Sequence, residues 1–160
     1  ADSRKVIMDK YFDKNLPEFA DFDPQALKQV LNNFISNALK FTSSGGSVKV
    51  SAFVAGADGY WPTIDTNKYP AFPVKSDIPL DKKTLCVVVT DTGIGIPDKN
   101  LRELFHTYKQ AKISPVNKDE KGTGLGLVIA KGITEAHNGK VGAVSKEGKG
   151  SSFFFTIPLS

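Results

Sequence analysis

A chain of 160 residues with 24% charged and 10% aromatic side chains is long enough for one globular domain with a substantial core. Its net charge of +4 comes from scattered lysines, with no arginine-rich stripe or aromatic-interleaved basic patch, which argues against nucleic acid as a partner and leaves room for a phosphorylated ligand. No apolar run is long enough to span a bilayer and no basic-then-apolar leader is present, so this segment is expected to be soluble, not targeted for export and without membrane contact of its own.

In chain order, "SRKVIMDKYF" reads as a first strand and "LPEFADFDP" as a connector ending in a helix start, with Asp23 as N-cap and Pro24 at the first helical position. Leu27, Val30, Leu31, Phe34, Ile35, Ala38 and Leu39 recur at the i, i+3, i+4, i+7 spacing and predict an amphipathic helix, stopped by "SSGG". "SVKVSAFV" alternates as a strand. "TLCVVVTD" is more continuously apolar and so is predicted to be central. Its lone Cys86 reads as a small buried hydrophobe rather than a catalytic thiol.

Between these strands, residues 55–83 form a long loop with four prolines and no periodicity, either self-packed or carrying Tyr60, Trp61, Tyr69 and Phe72 as a docking surface for a neighbouring domain. "KNLRELFHTYKQ" suggests a short helix and "AKISPVNKDEKGTG" a polar, flexible segment. "LGLVIAKGITEAH" is a second amphipathic helix closed by "NG", and "KVGAVSK" and "SSFFFTIPL" are strands joined by the hairpin signal "EGKG". The order predicts one domain over residues 1–160, an α/β two-layer sandwich with helices on one face of a mixed sheet.

Three features carry chemistry. Asn33 and Asn37 are neighbours on one helix face with Lys40 a turn beyond; a solvated face accounts for them, as does coordination of a hard cation such as Mg²⁺ whose remaining ligands are phosphates. "DTGIGIP" turns the central strand sharply after Asp91. The glycines of "GTGLGL", Gly122, Gly124 and Gly126, open a helix where backbone N–H groups favour an anion, but neither a Walker loop nor a dinucleotide fingerprint is present.

Together "QVLNNFISNALKFT", "DTGIGIP", "LFHTYKQ" and "GTGLGL" resemble, in order and separation, the four boxes of the ATP-binding catalytic domain of sensor histidine kinases, within the GHKL superfamily that includes gyrase B and mismatch-repair ATPases. The ending "GKVGAVSKEGKGSSFFFTIPL" is similar to the closing strands of the same Bergerat-type fold. The resemblance implies Mg²⁺ and ATP as cofactors, Asn37 as the metal ligand, and Asn33 and Lys40 as the catalytic pair, with Lys40 also near the phosphates. It implies that Asp91 accepts a hydrogen bond from the adenine amino group, which favours ATP over GTP, and that Gly93 and Gly95 turn the backbone beneath the base. Gly122, Thr123, Gly124, Leu125 and Gly126 would close over the phosphates, and residues 101–121 would form the ATP lid.

Thr107 and Tyr108 stand where the family often has a Pro-Phe pair, and Lys121 where it often has glycine; Lys109, Lys112, Lys118 and Lys121 are all candidates to reach the γ-phosphate. Neither His106, read as a lid side chain, nor His137, read as a cation near a helix C-terminus, has the setting of a phospho-acceptor. The expected acceptor is therefore a histidine on a separate dimerisation domain, with a response regulator downstream and the segment in the cytoplasm. A degenerate signalling module and a serine-directed kinase of the same fold are the alternatives; Asn33 in place of a glutamate general base argues against an ATPase.

Overall fold

In the computed structural model, which describes residues 5–13, 16, 22–56, 61–78, 82–101 and 125–159, the first predicted helix runs as α1, Pro24–Lys40. The Asp23 carboxylate accepts from the N–H groups of Gln25 and Ala26, while Pro24 occupies the first turn, where no donor is missed. Leu27, Val30, Phe34 and Ala38 are buried along one face, as their spacing dictates.

The strands are β1 (Ile7–Phe12), β2 (Ser47–Ala55), β3 (Thr84–Asp91), β4 (Lys140–Lys146) and β5 (Gly150–Pro158), arranged β1-β2-β3-β5-β4. β1 runs parallel to β2 with α1 in the crossover, and the other three pairs are antiparallel, so the sheet is mixed. The remaining helices are α2 (Asp98–Leu101) and α3 (Leu125–Ala136). The predicted first strand starts later than its sequence pattern, at Ile7, and "KNLRELFHTYKQ" contributes to α2 only as far as Leu101; the rest of it lies outside the described residues.

α1 and α3 cover one sheet face. Leu27, Val30, Phe34, Leu127 and Ala130 pack with Val48, Val50, Val87, Val89, Phe153, Phe155 and Ile157, and the Phe34 ring sits 5.7 Å from that of Phe153. The alternate residues of the same strands, Phe53, Cys86, Val88 and Phe154, point to the opposite face.

There the long loop closes over them. Tyr69, Phe72 and Ile78 are buried against the sheet, and Trp61 meets Phe53 edge-on with ring centroids 5.1 Å apart. Residues 61–78, which include a short 3-10 helix at Lys75–Asp77, thus add a third layer to the two expected. This corrects the reading of Tyr69 and Phe72 as an exposed docking surface; Tyr60 lies outside the described residues. It also explains why "TLCVVV" and "FFF" are continuously apolar, since both faces of β3 and β5 are covered. Cys86 is buried in this layer, and burial pushes its thiol up to about 12.

The third layer is tied to the sheet edge through one carboxylate. The Tyr69 hydroxyl donates to Asp9 Oδ2, and Lys68 Nζ lies 2.9 Å from the same oxygen. These bonds, that from Tyr69 first, hold the Asp9 carboxyl below its usual range, while burial and the neighbouring carboxylate raise the phenol.

At the end of α3 the "NG" stop divides its work between two residues. Asn138 takes the left-handed conformation with φ 64°, and Gly139 passes so close to β5 that a Cβ there would stand 1.8 Å from the Thr156 carbonyl oxygen. His137 differs from expectation. Its Nε2 accepts the Asp23 N–H at 3.0 Å, so the ring hydrogen is on Nδ1, facing the Ile133 carbonyl at 2.9 Å. The imidazole thus joins the start of α1 to the end of α3.

Candidate functional site

β3 delivers Asp91 to its C-terminal end on the helix-covered side, with 0% of the residue exposed. Oδ1 accepts the N–H groups of Gly93 at 2.8 Å and Ser151 at 3.2 Å, and Oδ2 accepts the Ser151 hydroxyl at 2.9 Å. A carboxylate offers about four acceptor positions. Among the described residues, these three bonds use three of those positions and leave one on Oδ2 unused. Burial pushes the carboxyl up to about 6, and the bonds from Gly93 and Ser151 pull it back only in part. The group is therefore an acceptor at neutral pH that gains from any further donor.

The loop after Asp91 is held on two sides by backbone contact. A Cβ on Gly93 would stand 2.1 Å from the Phe41 carbonyl oxygen at the end of α1, and Ile94 N–H donates to that same oxygen at 3.2 Å. Gly95, at φ +74°, lies against the β4–β5 turn, where a Cβ would meet the Lys146 carbonyl oxygen at 2.4 Å. Gly148 N–H donates to the Ile94 carbonyl and Ile96 N–H to the Ser145 hydroxyl, both at 2.7 Å. Gly93 and Gly95 thus serve to wedge the loop between α1 and the last hairpin.

Asn33 and Asn37 are half-buried on α1, and Lys40 in its last turn is buried, so this face is not the solvated surface its composition permits. Among the described residues no group of three or more His, Cys, Asp or Glu could hold a metal ion. A hard cation at α1 would rest on the Asn37 amide and on oxygens supplied by a ligand, which fits Mg²⁺ chemistry. Leu125 and Gly126 form the first turn of α3. Gly122, Thr123 and Gly124, the lid residues beyond Leu101, and Lys109, Lys112, Lys118, Lys121 and His106 lie outside the described residues.

Sequence reasoning missed Ser151. Its role follows from the register Asp91↔Ser151 between β3 and β5, a pairing over 60 positions of chain. The available signal was a pair of serines, Ser151 and Ser152, immediately before the apolar run of Phe153, Phe154 and Phe155.

Residues 22–160 match the family described as "Histidine kinase-, DNA gyrase B-, and HSP90-like ATPase". The chain is 36% identical over 150 residues to the sensor histidine kinase WalK of Bacillus subtilis, covering 92% of this chain and 20% of that protein. It is 34% identical over 153 residues to the sensor protein kinase WalK of Staphylococcus aureus, covering 94% of this chain and 31% of that one. The chain therefore spans a third or less of these relatives' length. Among solved structures, the mycobacterial sensor histidine kinase MprB shares the fold with a TM-score of 0.68 at 20% identity, over 96% of this chain and 84% of that one. Full-length ShkA in complex with AMPPNP aligns with a TM-score of 0.64 at 26% identity, over 97% of this chain and 26% of that one.

Proposed function

The chain belongs to the histidine kinase-, DNA gyrase B- and HSP90-like ATPase family, and from that premise we propose that it is the catalytic domain of a two-component sensor histidine kinase. It binds Mg²⁺ and ATP and donates the γ-phosphoryl group to a histidine on a separate dimerisation domain of the parent protein, which then supplies a response regulator. The domain works in the cytoplasm; among the described residues no helix is long and apolar enough to cross a membrane.

The observation that carries this reading is the buried Asp91 carboxylate at the end of β3, on which the described residues use three of about four acceptor positions. An adenine amino group fills the remaining one. Guanine would set a carbonyl against it, leaving a buried charge repelled and unpaired. Asn37 holds the metal from α1 and Lys40 adds positive charge in the same turn. Magnesium, when bound, neutralises phosphate charge, and the protein's share is positioning and electrostatic stabilisation. The acceptor is sought elsewhere because neither His106 nor His137 has the sequence setting of a phospho-acceptor, and both ring nitrogens of His137 are engaged within the fold.

Calorimetric titration with Mg²⁺·ATP, with Mg²⁺·GTP and Asp91→Ala as controls, tests the pocket. The expected result is micromolar to millimolar ATP affinity that is lost in both controls. A folded domain that binds no nucleotide overturns the reading in favour of a signalling module that acts by contact alone.

A further inference from the structure

The helix that carries Asn37 and Lys40 and the loop that begins at Asp91 meet at a junction where Thr92 does what a regular strand pair would leave to the backbone. In a hydrogen-bonded antiparallel pair two residues exchange both N–H to C=O bonds. Ser47, the first residue of β2, and Thr92 make one of these, from Thr92 N–H to the Ser47 carbonyl at 3.0 Å. The other is replaced. Ser47 N–H donates instead to the Thr92 hydroxyl at 2.9 Å, and that hydroxyl faces the Ser47 carbonyl at 3.5 Å.

The replacement lets the ladder close at the residue where the chain peels away into Gly93. The turn before Ser47 lies close to both threonines: a Cβ on Gly46 would stand 3.1 Å from the Thr92 hydroxyl and 2.5 Å from the Thr42 methyl. Thr42 in turn caps α1, donating its hydroxyl to the Ala38 carbonyl at 2.7 Å. A second bridge runs beside it, because Phe41 N–H donates to the Asn37 carbonyl at 3.3 Å and the Phe41 carbonyl accepts Ile94 N–H at 3.2 Å.

Resting on the proposed nucleotide-binding role of this site, we propose that Thr92 is a positioning residue that couples its two halves. Through Ser47 and the turn before it, Thr92 fixes the last turn of α1, with Asn37 and Lys40, relative to the Asp91 carboxylate. Its hydroxyl therefore governs how well one ligand can satisfy the metal-bearing helix and the carboxylate at once, while adding nothing to either half alone. The coupling is a geometric preorganisation, expressed as the gain in nucleotide affinity that Mg²⁺ brings.

The test measures that gain. Wild type, Thr92→Val and Thr92→Ser are titrated with AMPPNP in excess Mg²⁺ and again in chelator, with a thermal melt of each variant. Valine removes the hydroxyl at nearly constant shape, and serine restores it. We expect Thr92→Val to keep wild-type affinity in chelator within about two-fold, to lose roughly ten-fold of the Mg²⁺-dependent gain, the worth of about one hydrogen bond, and to be rescued by Thr92→Ser. Equal losses with and without Mg²⁺, or an unchanged gain in Thr92→Val, overturn the proposal. If the valine variant does not fold, Thr92→Ala, which also removes the hydroxyl and places no methyl in its position, decides on the same split. Absence of nucleotide binding by folded wild type would instead remove the site reading on which the coupling rests.

Discussion

Ser151 donates its hydroxyl to Oδ2 of Asp91 across 2.9 Å, joining the start of β5 to the last residue of β3. With its own N–H on Oδ1, Ser151 supplies two of the three bonds that keep a fully buried carboxylate ionisable. Removing the hydroxyl in Ser151→Ala raises the Asp91 carboxyl further above its present value of about 6. The expected outcome is about ten-fold weaker nucleotide binding at pH 7, shrinking toward pH 8 as the carboxylate ionises, with Ser151→Thr close to wild type. Titration calorimetry across that pH range checks it; a loss of the same size at every pH would assign Ser151 to shape alone.

Asp91 itself sets stability against binding. Its folded value of about 6 lies above the ordinary 3.8, so the folded state holds the proton more tightly than the unfolded chain. That contribution is complete below pH 4, is lost as pH rises through 6, and at neutral pH leaves a buried charge costing about 3 kcal/mol. Asp91→Asn is neutral, keeps an acceptor for Gly93 and Ser151, and is expected to raise stability at pH 8 by about 1–3 kcal/mol while abolishing adenine recognition. Denaturant unfolding at pH 8 and pH 4 tests the sign, since the advantage over wild type should vanish at the lower pH.

Gly150 lies at φ +139°, and a Cβ there would stand 2.1 Å from the Asp91 carbonyl oxygen. Gly150→Ala must therefore push β5 away from the end of β3 as well as strain its own backbone. A stability loss of more than about 2 kcal/mol is expected together with loss of nucleotide binding. An unchanged melting temperature would show that the hairpin can yield.

The third layer gives two graded outcomes. Phe72→Ala opens the loop-side core and should cost about 3 kcal/mol or more. Tyr69→Phe keeps the ring but strips Asp9 of its hydroxyl partner, and is expected to cost about 1.5 kcal/mol and to speed amide exchange in β1 selectively. Exchange that accelerates equally in β1 and β4 would argue against a local tie.

The legibility of the molecule followed the range of its interactions. α1 was readable to its cap because the cap, the proline and the apolar stripe are local. Asp91 was readable because a polar residue closes an apolar strand immediately before glycines. Ser151, Thr92 and the binding of His137 to Asp23 were not, since each depends on which strands or helices become neighbours, and pairing register is not written in either partner alone. Residues 61–78 escaped for a different reason. Irregular backbone has no period, and its aromatics read equally well as exposed anchors or as a lining, until Phe53, Val88 and Phe154 supply a face to line.

Ala55 and Thr84, the residues that bracket this loop, stand directly opposite each other in the β2–β3 ladder. In topological terms the whole third layer is a hairpin connection, and a tight turn could join the same two ends without disturbing a single ladder pair. Thermodynamically the two forms are not equivalent, because a shortened hairpin would present Phe53, Cys86, Val88 and Phe154 to water as a contiguous apolar sheet face. Loop and sheet therefore form one physical unit: shortening this connection would call for polar side chains on three different strands.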